Sequence, residues 1–279
     1  ILKVHARGKP LAPNVDLATI AKSTAGFTGA DLENLLNEAA LLAARKHLKA
    51  ITMDEIEEAT IKVVVGAEKK SHVMTDKEKT LTAYHEAGHA IAAYSCKTQD
   101  PVHQISIIPR GRAGGYTMQL PSEDRSYKSR SEMLESLVVL LGGRVAEALV
   151  LGDISTGASN DIEQATRIAR AMVTRYGMSD QFGMVALETV NNPYLSSDTS
   201  MTCSPETARM VDEEVIRIVK EQYAKAMDIL KANAGKLNEI AAYLLEKETI
   251  TGEEFMEILN RGKEPEIVEE PQAAEEPVI

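Results

Sequence analysis

The pentapeptide His85-Glu86-Ala87-Gly88-His89 constrains this chain more than any other stretch. At 3.6 residues per turn, histidines four apart share one helix face, so both imidazoles can reach one metal ion. Glu86 then falls beside the open side of that ion. In this HExxH pattern the two histidines hold Zn²⁺ and the glutamate is general base to a water. The surroundings agree with a helix: Thr75-Asp76-Lys77-Glu78 reads as a capping box, and Leu81, Tyr84, Ala87, Gly88 and Ile91 recur at helical spacing. Ala87 and Gly88 leave room for a neighbouring element to pack against the metal helix. The plainer alternative is two partly buried histidines with Glu86 as a solvated charge. With six His in 279 residues, a chance HExxH is rare.

Composition narrows what surrounds this helix. Apolar residues make up 44% of the chain but aromatics only 4%, with no Trp; Ala, Leu, Ile, Glu, Lys and Met dominate, which favours helices. The expected fold is mainly α, with a small β-hairpin or sheet. A net charge of −11 without a basic stripe argues against nucleic acid and against an anionic membrane surface. Cys96 and Cys203 share no spacing motif, so a reduced compartment is the default reading and a cysteine-based zinc site is excluded. The residues contain no apolar run of 18 and no leader pattern. The start at Ile1-Leu2-Lys3-Val4, without Met, leads us to expect a piece excised from something longer.

Along the chain, residues 1–20 read as irregular, with Gly8, Pro10 and Pro13 as breakers. Thr28 opens a periodic helix through Leu32, Leu35, Leu36, Ala39, Leu42 and Ala43 to about Leu48, and Thr52 caps another ending near Val65-Gly66. Residues 1–70 thus form a small helical unit without catalytic groups, and the polar segment 67–76 reads as a linker. After the metal helix, Val102 to Pro109, the glycine-rich turn and Tyr116 to Met118 read as strand, turn and return strand. The strand at 104–108 is a candidate for gripping an extended peptide by strand addition. Ser129 caps a long helix over about 131–150, whose Gly142-Gly143 pair costs about 1 kcal/mol per glycine against Ala and so points to close approach of another helix. A helix follows Asp161, and Ser204-Pro205 starts one of about 25 residues. Thr251 to Glu254 forms a further capping box. Residues 263–279 form an acidic tail expected to be disordered.

A catalytic zinc needs three protein ligands and an open position. A third histidine six residues beyond His89 is absent, because position 95 is Ser. A glutamate about twenty residues downstream, as in thermolysin-like sites, is absent too. Asp161 and Glu147 are the candidates, with Asp153 behind them and His103 as an outside choice at a strand start. Asp161 follows the small residues Gly157, Ala158 and Ser159, which let a metal site approach, yet a first-turn carboxylate also suits the helix dipole. Glu147 reads equally as a partner orienting a ligating imidazole.

Together the motifs resemble a known family. HEAGH, Ile107-Ile108-Pro109-Arg110-Gly111, Gly114-Gly115-Tyr116-Thr117, Leu141-Gly142-Gly143-Arg144-Val145-Ala146-Glu147 and Thr156 to Asp161 are similar, in this order, to the peptidase domain of FtsH-type proteases. These are membrane-anchored, ATP-dependent AAA zinc metalloproteases. Gly26 to Leu32 with Asn34-Leu35 resembles their helical AAA lid. The resemblance implies a lid over residues 1–70 and a zinc metallopeptidase over 71–262. It makes His85, His89 and Asp161 zinc ligands, Glu86 the catalytic base and Glu147 a supporting residue. It further implies a homohexamer acting on unfolded polypeptide, in a parent held in the bacterial inner membrane with this part on the cytoplasmic side. The family's phosphate-cradling G-x-x-x-x-G-K-[ST] loop does not occur in these residues, so ATP is expected only in the parent. Two rival readings are a deformylase-like metal amidase and a non-enzymatic helical scaffold. The first takes a cysteine upstream of the histidines, and both cysteines here lie downstream; the second is disfavoured by an intact Glu86.

Overall fold

The computed structural model describes residues 1–69, 74–111, 113–121, 127–190 and 199–261. The expected acidic tail, residues 70–73 of the linker and residues 191–198 lie outside the described residues. The fold is mainly α, with a small antiparallel sheet.

The first unit comprises α1 (Leu2–His5), α2 (Leu17–Ser23), α3 (Gly29–Arg45) and α4 (Met53–Val64). The irregular reading of residues 1–20 is corrected by α1 and α2. Asp16 caps α2 by accepting hydrogen bonds from the Ala18 and Thr19 backbone N–H groups, but a seven-residue helix is too short to declare itself by periodicity. Capping boxes start α3 at Thr28 and α4 at Thr52. Leu35, Leu36 and Ala39 of α3, Ile56 and Ala59 of α4, and Ile20 and Ile51 interdigitate as one core.

The second unit is built around α5 (Asp76–Ser95), which the Thr75–Glu78 capping box starts. From Thr82 to Ala93 every residue of α5 except Tyr84 is buried. Such a helix is a central strut, enclosed on all sides. There follow β1 (Val102–Ser106), β2 (Tyr116–Gln119), α6 (Arg130–Ala146), α7 (Ser159–Thr174), β3 (Glu188–Val190), β4 (Thr199–Met201), α8 (Pro205–Ala232), α9 (Ala234–Lys247), β5 (Thr249–Thr251) and α10 (Gly252–Asn260). Helices α6, α8 and α9 and strands β1 and β2 pack on α5. The glycine pair of α6 meets Gly88 of α5: a Cβ on Gly88 would lie 2.5 Å from the Gly142 carbonyl oxygen, and one on Gly142 2.8 Å from that of Gly88. The two backbones therefore touch, which is what the glycines' helix cost secures.

Two expectations change here. The helix expected to 150 is α-helical only to Ala146 and continues as a π-helical turn, Glu147–Leu151, closed by Gly152 at φ 65°. Strand β1 is also the centre of its sheet, in order β2-β1-β5: Gln104, Ile105 and Ser106 pair with β2 on one side and β5 on the other. This pairing leaves no free edge at 104–106 for strand addition. The closing strand β5 has three residues and merges into the Thr251 capping box, so a strand signal was not visible there.

The two units meet at β2 and the turn before it. Arg110 makes a two-point salt bridge to Glu58 of α4, at 2.9 and 3.1 Å. Ile61 of α4 packs in one apolar cluster with Tyr116 and Met118 of β2.

Candidate metal centre

His85 and His89 project from the buried middle of α5, one turn apart, and α7 brings Asp161 to them from its first turn. The Nε2 atoms of the histidines are 3.0 Å apart. Asp161 Oδ2 lies 3.3 Å from His85 Nε2 and 3.7 Å from His89 Nε2. Each imidazole is oriented from behind. His85 Nδ1 contacts Glu147 Oε1 at 2.7 Å, and His89 Nδ1 contacts the Val139 carbonyl at 2.7 Å. Both partners only accept, so both Nδ1 atoms carry the proton and both Nε2 lone pairs point at the same spot.

Two nitrogen lone pairs 3.0 Å apart repel unless a cation lies between them. Ligands of a tetrahedral zinc with bonds of about 2.0 Å sit about 3.3 Å from one another. The observed separations of 3.0, 3.3 and 3.7 Å bracket that value. Two imidazoles and a carboxylate are also a zinc donor set. On geometry and donor chemistry, the residues fit a metal ion.

Electrostatics agree. Burial by itself disfavours a charged His85, but Asp161 and Glu147 outweigh it and its pKa is pushed up to about 10. Asp161, raised by burial, is brought well below the carboxylate range by His85 and His89. Glu147 is raised by burial but held low by His85 and the Ser155 N–H. The pocket is thus short of positive charge, which a proton on His85 or a divalent cation supplies. Glu86 is buried, and that burial pushes its carboxyl up against the pull of His89, His85 and Thr117. The Thr117 hydroxyl lies 2.8 Å from Glu86 Oε2 and 3.0 Å from the Glu86 carbonyl oxygen.

Of the sequence candidates, His85, His89 and Asp161 converge, with Glu86 beside them. Glu147, fully buried, stands behind His85. His103 is exposed on β1, and Asp153 is exposed and accepts from the Ile154 N–H. Neither joins the cluster. Sequence reasoning missed Thr117 and the role of Gly143. A Cβ on Gly143 would lie 2.6 Å from both His85 Nε2 and His89 Nε2. The glycine pair was the available signal, though it announced only a close helix. A cleft of about 720 Å³ opens on one side of the cluster, bordered by Val64, Val65, Gly114, Gly115 and Asn160. A smaller one of about 220 Å³, bordered by Thr117, Gln119, Val139 and Leu140, also reaches the cluster.

Comparison with known proteins places this geometry. A family model described as peptidase family M41 matches residues 72–258, and one described as an AAA+ lid domain matches residues 14–58. The ATP-dependent zinc metalloprotease FtsH of Caldicellulosiruptor bescii is 57% identical over 271 aligned positions, covering 96% of this chain and 44% of that protein. ATP-dependent zinc metalloprotease FtsH 1 of a Thermoanaerobacter species is 56% identical, covering 93% and 43%. The Veillonella parvula FtsH is 53% identical, covering 99% and 44%. The chain spans less than half the length of these relatives. With its HExxH helix, the converging Asp161 and a family match across most of its length, the chain belongs to peptidase family M41.

Proposed function

We propose that this chain is the zinc endopeptidase portion of an FtsH-type protease, hydrolysing peptide bonds in unfolded polypeptide. The observation that carries the reading is the convergence of His85 Nε2, His89 Nε2 and Asp161 Oδ2 beside the buried Glu86 carboxylate. His85, His89 and Asp161 would hold the zinc. When bound, zinc acidifies a water molecule and polarises the scissile carbonyl. Glu86 accepts the attacking water's proton and passes it to the departing amine. Thr117 holds the Glu86 carboxylate in one orientation for both transfers. Glu147 and the Val139 carbonyl keep the two imidazoles in the ligating tautomer. The two clefts that share His85, Glu86 and Asp161 give a substrate chain access to the cluster.

Residues 1–70 act as the lid and 71–262 as the peptidase. The parent assembles as a homohexamer anchored in the membrane, with this part on the cytoplasmic side, and ATP is used by the motor of that parent. Glu86→Gln tests the chemistry. Gln keeps the shape and removes the proton acceptor, so casein turnover should fall by about 10³–10⁴-fold while zinc per chain stays at one. Turnover within a few-fold of wild type at equal zinc would remove Glu86 from the role of base.

A further inference from the structure

The metal cluster draws its third ligand from a different element than the first two, and something must hold α7 in register with α5. The Gly152–Gly157 loop leads into α7, and Ala158 at the helix N-cap makes no side-chain cap. The start of α7 therefore has no local anchor of the usual kind. Its anchor lies across the fold, at Ser155. Glu147 Oε2 accepts a hydrogen bond from the Ser155 N–H at 2.8 Å, and Arg144 Nη2 donates to the Ser155 carbonyl at 2.5 Å. The Ser155 hydroxyl in turn accepts from the Gly157 N–H at 3.1 Å. Arg144 and Glu147 are three apart where α6 passes into the π-helical turn, so both reach the same residue of the loop. The other oxygen of Glu147 holds His85 Nδ1.

We infer that Arg144 is a positioning residue for the metal centre, acting through Ser155 to fix where α7 presents Asp161. The inference rests on the zinc reading given above. The two clamp residues divide the work. Glu147 serves both His85 and the loop, whereas Arg144 touches no ligand: it bonds the loop and pairs its charge with Glu147 at 4.0 Å. The Arg144 side chain is 14% exposed and its Nε is 4.0 Å from Glu147 Oε2, too long for a hydrogen bond. That Nε finds no acceptor among the described residues. The specific bond Arg144 makes at this place is therefore the one to Ser155. Removing it loosens the carriage of Asp161.

The test is zinc affinity of the purified chain, by competition with a chromogenic chelator, together with the absorption spectrum of the cobalt-substituted form. Arg144→Met should weaken zinc by about 10- to 100-fold, the usual cost of losing a group that supports a ligand, and should alter the cobalt bands. Arg144→Lys, which keeps one donor near Ser155, should lose several-fold. In an Asp161→Ala background, Arg144→Met should add less than about twofold, because its effect runs through Asp161. Wild-type affinity in Arg144→Met, or an undiminished further loss on top of Asp161→Ala, overturns the inference. Should the Met variant fail to fold by circular dichroism, the Lys variant decides: weakened zinc in a folded chain supports the role, and wild-type affinity overturns it. A wild-type chain that holds no zinc overturns the metal reading itself and this inference with it, a result distinct from unchanged affinity in the variants.

Discussion

The lid and the metal seam solve the same packing problem in opposite ways. In the lid, α3 and α4 turn one apolar stripe inward, and large side chains such as Leu35, Leu36 and Ile56 fill the space between them. In the seam, α5 and α6 meet through Gly88, Gly142, Gly143 and Ala92, and backbone lies against backbone. Side-chain interdigitation stabilises through buried area, about 1.5–3 kcal/mol for each large apolar side chain. Backbone contact contributes less by area, but it fixes positions more tightly, because no flexible side chain stands between the two helices. The lid is packed for stability, and the seam is packed to hold two imidazoles in place. Capping boxes start helices in both regions, at Thr28, Thr52, Thr75 and Ser129. The difference therefore lies in the helix faces.

The sharpest way to widen this contrast is Gly143→Val. Its Cβ would stand 2.6 Å from both His85 Nε2 and His89 Nε2, and a misplacement of about 1 Å at a reacting centre costs about 10²-fold. Zinc retention and casein cleavage should both be abolished, while amide hydrogen exchange in α3 and α4 is unchanged. Wild-type zinc content in this variant would show that the seam is more pliant than its contacts imply.

Leu35→Ala attacks the other side of the comparison. Leu35 is fully buried, and truncation of such a residue costs about 2–5 kcal/mol. Denaturant unfolding should register that loss in the lid, with zinc affinity within about twofold of wild type. Loss of zinc as well would break the comparison, and would mean that the Arg110–Glu58 and Ile61–Tyr116 contacts couple the two units.

The smallest effect concerns pH. The Glu55 carboxyl is held down from 4.5 to about 2, first by the hydrogen bond from Lys46 and then by that from the Thr52 hydroxyl. The folded lid thus prefers the charged form. Its contribution to stability is whole above the unfolded-state value near 4.5 and is lost as pH falls through about 2. Thermal unfolding of the lid across that window should weaken with acid, and Glu55→Gln should flatten the slope. An unchanged slope would assign the acid sensitivity to other carboxylates.

Much of the local structure was legible in the residues. Helical spacing put His85 and His89 on one face, and side-chain capping marked where α3, α4, α5, α6 and α10 begin, because both depend on neighbours within a turn or two. The glycine pair announced a close partner for α6. Other features depended on contacts between distant segments. The choice among Asp161, Glu147, Asp153 and His103 stayed open on spacing alone, since each suits its own helix, loop or strand. Only the packing of α7 against α6 carries Asp161 to the imidazoles and leaves Glu147 behind His85. The central place of β1 likewise waits on β5, three residues with no periodicity of their own, brought in by α9. Local preference acts over a few residues, whereas a metal centre is assembled where the folded chain closes on itself, and that closure is decided by tertiary packing.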